Sequence, residues 1–233
     1  MQICTVNKTN IKMKKMKKLS VSILATVAIL LSSCSLDNDD ENQGIIPGTE
    51  VTSQNLAGNL TTDLRLTSGI AHNLIGALLV KDGATLTIDA GTRINALAGG
   101  TDVYILVEKG GKIIADGTAD NPIVFTSNAT NPQPGDWGGI IVNGKAPLSR
   151  QAGSDSNSAA EVNAAILYGG AVSDDNSGIL NYVKIEYTGA RIDDEAEHNG
   201  LTLNAVGAGT VISNIAILNG DDDGIEFFGG TVN

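Results

Sequence analysis

From about Val51 to the end, apolar and polar residues alternate in short bursts separated by Gly, Asn and Asp. The pattern recurs in ALLVKDGATLTIDAG (77–91), VYILVEKGGKIIADG (103–117), NPIVFTS (121–127), WGGIIVNG (137–144), NYVKIEY (181–187), NGLTLNAVG (199–207), SNIAILNG (213–220) and DGIEFFGG (223–230). A period of two sustained over about four to eight residues marks a half-buried strand. No stretch after residue 34 keeps a helical period. The chain is predicted to be all-β.

Internal repetition decides how the strands are arranged. Asn199-Gly200-Leu201-x-Leu203 matches Asp223-Gly224-Ile225-x-Phe227 at an offset of 24. Val183-x-Ile185 matches Ile215-x-Ile217 at 32, and the acidic stretch Ala190–Glu197 accounts for the extra eight. Coils of about 24 residues built from short strands and turns predict a parallel β-helix over 51–233, with coils stacked about 4.8 Å apart. Val183 and Ile185 should then lie on Ile215 and Ile217, and Leu201 and Leu203 on Ile225 and Phe227. The competing arrangement is a sandwich, with Asn143-Gly144 as a hairpin turn.

Five segments in this order resemble the parallel β-helix surface lipoproteins of Bacteroidetes: GATLTIDAGT (83–92), GGKIIADGTADNPIVFTS (110–127), GDWGGIIVNGKAP (135–147), LYGGAVSDDNSGILNYVKIEYTGA (167–190) and NGLTLNAVGAGTVISNIAILNGDDDGIEFFGGTVN (199–233). The resemblance covers nearly everything from Val51 and implies a right-handed β-helix at the outer membrane, with no established reaction. Chains of that family continue with further coils, so this one is expected to correspond to their N-terminal portion. A coil left open after Phe227 would expose strand edges and aliphatic side chains.

The first 33 residues do not fit the strand pattern. Basic residues (Lys12, Lys14, Lys15, Lys17, Lys18) lead into an apolar run from Leu19 to Leu31, then Ser32, Ser33 and Cys34. The run is shorter than the roughly 20 residues a spanning helix needs and suits a secretory signal. Leu31-Ser32-Ser33-Cys34 resembles a lipobox, which makes Cys34 the expected lipidation site and the bilayer its partner. An ordinary signal peptide containing a Cys is the alternative. Met13 or Met16 is a candidate start, in which case Cys4 drops out and no internal disulfide can form. Residues 34–50 read as an acidic tether. Their acids resemble a surface-export signal, so cell-surface exposure is expected, with the periplasmic face as the alternative.

Charge narrows the partners. The chain carries 15 Lys+Arg against 26 Asp+Glu, and six of the bases precede residue 20. From Cys34 on, nine bases face all 26 acids. Such a surface repels phosphate backbones, which argues against nucleic acid.

Candidate chemistry lies mostly at one predicted corner. In the 24-residue register Asp193, Asp194, Glu195 and Glu197 precede Asn199 as Asp221, Asp222 and Asp223 precede Gly224, so the two runs meet on neighbouring coils. Carboxylates from adjacent turns suit Ca²⁺, which takes six to eight oxygen ligands; a solvated, charged turn is the plainer reading. Lys184 and Arg191 form a conceivable catalytic pair for a Ca²⁺-dependent polysaccharide lyase or hydrolase. Trp137 is a candidate ligand-face aromatic, although the flanking glycines favour core or edge packing. His72 is expected at a strand edge. The polar loop 149–163 is expected either to overlie Trp137 or to lack order. No nucleophile elbow, phosphate loop, CxxC or HExxH occurs. A non-catalytic envelope lipoprotein that binds glycan or another surface polymer is the leading expectation, with the lyase or hydrolase as its alternative.

Overall fold

The computed structural model describes residues 53–149, 156–193 and 196–233. The signal segment, Cys34, the acidic stretch to residue 50, and Asp194 and Glu195 lie outside them. Within them the chain is all-β, and no helix is long and apolar enough to cross a membrane.

Successive coils are built from β1 (Ser53–Leu60) and β2 (Leu64–Leu66), then β3 (Ala71–Val80) and β4 (Thr85–Ile88), then β5 (Arg93–Ala96), β6 (Gly100–Val107) and β7 (Lys112–Asp116). β8 (Ile123–Ser127), β9 (Trp137–Asn143) and the start of β12 (Gly178–Glu186) make the next coil. The rest of β12, β13 (Leu201–Asn204) and the start of β14 (Val211–Leu218) follow, and β15 (Ile225–Phe228) is last. Between β9 and β12, β10 (Ser158–Ala160) and β11 (Asn163–Tyr168) form an antiparallel hairpin. The other 13 strands pair in parallel, and the fold is a parallel β-helix.

Each coil has three faces. Strand segments 71–74, 93–96, 123–127, 183–186 and 215–218 stack on the first face. Segments 78–80, 104–107, 139–143, 201–204 and 225–228 stack on the second. The third holds 64–66, 85–88, 112–116, 178–181 and 211–213. Alternation sends every second side chain inward, where like lies on like. Ile94, Phe125, Ile185 and Ile217 form one column, and Leu78, Ile105, Ile140, Leu201 and Ile225 another. Fully burying one such side chain contributes about 1.5–3 kcal/mol, so these columns are the main source of stability.

The expected stacks of Val183 and Ile185 on Ile215 and Ile217, and of Leu201 and Leu203 on Ile225 and Phe227, are present. A uniform coil of 24 is not. Along the first face the step is 22 from His72 to Ile94, 31 to Phe125, 60 to Ile185 and 32 to Ile217. Strand lengths must match their neighbours, so every difference is absorbed at corners. Asn143-Gly144 is no hairpin turn: Asn143 closes β9 and stacks beneath Asn204, whose amide donates to its side-chain oxygen at 2.9 Å.

One corner is made by left-handed residues. Tyr182 (φ 48°) and Asn214 (φ 50°) occupy equivalent places on neighbouring coils, each turning the chain from the third face to the first. Asn tolerates this region; Tyr does so only under constraint from its surroundings.

Phe125→Ala removes a fully buried ring from the first-face column. It is expected to destabilise the helix by about 3–5 kcal/mol, read as a lower urea midpoint by circular dichroism. An unchanged midpoint would show that this column does not limit stability.

Candidate functional site

The outward side of the first face carries an ordered polar surface. Opposite the buried Ile94, Phe125, Val183 and Ile185 point Arg93, Asn95, Val124, Thr126, Lys184 and Glu186. Register places Asn55, Asn73, Asn95 and Thr126 in one row across four coils. Its three asparagines lie at the surface and Thr126 is buried; Asn73 Nδ2 donates to Asn55 Oδ1 at 3.3 Å across two coils, and Arg93 Nε donates to Asn95 Oδ1 at 3.2 Å within one strand. Glu186 follows on the next coil. Burial pushes its carboxyl up, but hydrogen bonds from Lys184 and Thr126 and the charges of Lys184 and Arg93 outweigh this and hold it below the usual range. Lys184 Nζ lies 2.6 Å from Glu186 Oε1.

The second face is covered instead. Its outward row is Leu106, Ile141, Thr202 and Glu226. Apolar residues facing outward need cover, and β10–β11 folds back to supply it. Ala160, Val162 and Tyr168 close over Ile141, Thr202 and Asn204, and Tyr168 and Ala160 pack with Ala205 and Phe228. The cleft left beneath has room for little more than water.

This cover brings acids together. Glu161, from the hairpin, is raised by burial first and then by Glu197 and Asp222. Glu226, on β15, is raised by burial and by Glu161, Asp223 and Asp222, against a hydrogen bond from Asn199 Nδ2 at 2.5 Å. His198 lines the same cleft. Burial lowers it to about 4 although a hydrogen bond to the Thr101 backbone partly opposes this, so the ring is neutral at pH 7. It packs against Tyr104, with ring centroids 5.1 Å apart.

The residues singled out from sequence are distributed as follows. Glu197 and Asp222 act electrostatically on Glu161, and Asp222 and Asp223 on Glu226; Glu161 and Glu226 belong to neither acidic run. Asp193 caps its own turn, accepting from Ala196 N at 2.9 Å, and Asp221 N donates to the Thr188 carbonyl. Asp194 and Glu195 lie outside the described residues. Among those described, no three His, Cys, Asp or Glu side chains are positioned to share a metal ion. Lys184 belongs to the polar face, engaged by Glu186. Arg191 is exposed in the corner loop, where it bridges Glu197 through the backbone.

Trp137 is corrected. It is fully buried in the core, and its indole N–H donates to the Glu186 carbonyl at 2.8 Å, so it offers no surface to a ligand. The adjacent glycines explain the spacing. A Cβ on Gly138 would sit 2.6 Å from His198 Nδ1, and one on Gly139 2.1 Å from the Asn199 carbonyl oxygen. His72 is likewise buried, not at an edge, with Nε2 2.8 Å from the Thr67 carbonyl. Part of the polar loop, from Ser158, is the hairpin, and it lies over Ile141 rather than Trp137.

A family model for a pectate-lyase like beta helix domain matches residues 58–233. No curated protein and no solved structure matches the chain.

The acid cluster has a pH consequence. Glu161 and Glu226 have folded values above the ordinary glutamate 4.5, so the stability they allow is complete below about pH 4.5 and is lost as pH rises through the folded values. Glu161→Gln and Glu226→Gln together are expected to raise the melting temperature at pH 7 by about 1–2 °C and to change it little near pH 4. Equal effects at both pH values would show that the carboxylates do not repel.

Proposed function

The chain belongs to the pectate-lyase-like β-helix family, and from that premise we propose that it is a non-catalytic, glycan-binding lipoprotein of the cell envelope. The observation that carries the binding half is the surface row Asn55, Asn73 and Asn95 beside Arg93 and Lys184. Coils about 4.8 Å apart repeat side-chain amides at a spacing close to the length of one pyranose ring. A sugar chain laid along the helix axis then meets a hydrogen-bonding group at each step. Neighbouring β-strands fix the row in advance, so little ordering is required on binding.

The lyase or hydrolase alternative draws on the same face and on the acidic corner. A lyase needs a free base beside the sugar C–H, and Lys184 is engaged by Glu186 on its own strand. Binding is therefore the reading supported better. Incubation with polygalacturonate and alginate, with and without Ca²⁺, is expected to release no unsaturated product by ultraviolet absorbance. Product that disappears in Lys184→Ala would establish the lyase.

The envelope half rests on the basic and apolar segment ending in Leu31-Ser32-Ser33-Cys34. A single acyl chain gives only marginal membrane binding, whereas several anchor stably. Lipidation at Cys34 would hold the protein at the outer membrane, facing the cell surface, with the acidic 35–50 segment as spacer. Cys34→Ser is expected to abolish labelling by a clickable palmitate analogue and to move the protein out of the membrane fraction. Equal labelling of wild type and variant would refute the anchor.

A further inference from the structure

We infer that the glycan taken by the first face is an uncharged polysaccharide, not a uronate polymer; this rests on the glycan-binding reading above. The row that would contact the sugar consists of neutral donors and acceptors, the amides of Asn55, Asn73 and Asn95; Thr126, next in register, is buried and bonds Glu186. Amides match sugar hydroxyls, which donate and accept equally.

The cations on this face are already directed at an acid of the protein. Lys184 Nζ sits 2.6 Å from Glu186 Oε1, and Arg93 acts on the same carboxylate while its Nε bonds Asn95. Two positive charges against one negative leave this patch a single positive charge, and both cations already face Glu186. From Cys34 on, nine bases face 26 acids, so the long-range field of the protein is negative. A polymer with one carboxylate per sugar would be repelled on approach, and its bound carboxylates would compete with Glu186 for the same two cations. A neutral polymer meets neither penalty.

Affinity electrophoresis of the purified chain in gels containing a β-glucan, a mannan, a xylan, polygalacturonate or alginate tests this at low salt, with the last two also run in Ca²⁺. Retardation by at least one neutral polymer and by neither acidic one is the expected result. Asn73→Ala with Asn95→Ala should weaken that retardation about tenfold or more, the scale of one or two lost hydrogen bonds, while melting stays close to wild type. Glu186→Gln, which releases Lys184 and Arg93, should create retardation by polygalacturonate. Stronger retardation of the wild type by an acidic polymer, with or without Ca²⁺, overturns the neutral assignment and leaves glycan binding intact. No retardation by any polymer overturns the glycan-binding reading itself. Glu186→Gln with no gain on polygalacturonate shows that ion pairing on this face does not set selectivity, and so overturns the charge argument.

Discussion

Everything in this molecule depends on strands of successive coils lying in parallel register, inward residue upon inward residue. A slip of one residue would turn every side chain of a strand to the opposite side. Ile94, Phe125, Ile185 and Ile217 can form a column only because each strand keeps its parity with the one below. Chain length between columns is free, since a corner can bulge without disturbing the ladder. The long excursion 144–177 between β9 and β12 is therefore tolerated, and Gly178 re-enters directly against Ile113.

The same register creates the outer surfaces. Whatever lies outward on one coil lies beside its counterpart on the next, so polar residues become rows. Asn55, Asn73 and Asn95 become a row by the same rule that makes a column of the aliphatic residues. A row of amides can satisfy itself along the helix axis and still present the other half of its hydrogen-bonding capacity to solvent. On the second face the row is Leu106, Ile141 and Thr202, which has no such capacity and is covered by the hairpin.

The stacked pairs were legible in sequence because period-two alternation and the Asn-Gly and Asp-Gly marks before Leu201 and Ile225 survive any change of corner. Coil length was not, because corners carry no pattern: Tyr182 turns the chain at φ 48° with no turn propensity to announce it. The acid cluster was half legible. Glu197, Asp222 and Asp223 follow from register, but Glu161 arrives through a fold-back of small residues, SAAEVNAAILY, that reads as loop. One signal did exist. WGGIIVN is apolar at consecutive positions, Ile140, Ile141 and Val142, and a strand apolar on both sides requires cover on both. Trp137 was ambiguous because an indole between glycines suits either a coil edge or a core; its place was settled by the Glu186 carbonyl, a partner 49 residues away.

Covering one face while leaving another open divides the work of the surface. The hairpin adds burial over Ile141 and Phe228 but draws Glu161 toward Glu226, Glu197 and Asp222, and so spends part of that gain on repulsion. The first face holds its one central acid, Glu186, against two cations and a hydroxyl and carries no such conflict. Its side chains are ordered by their neighbours before any ligand arrives, and its rows run along the axis at the coil spacing. Under the proposed glycan-binding function, a long polymer of repeating units could use every step of such a row, whereas a small molecule would contact only one or two coils.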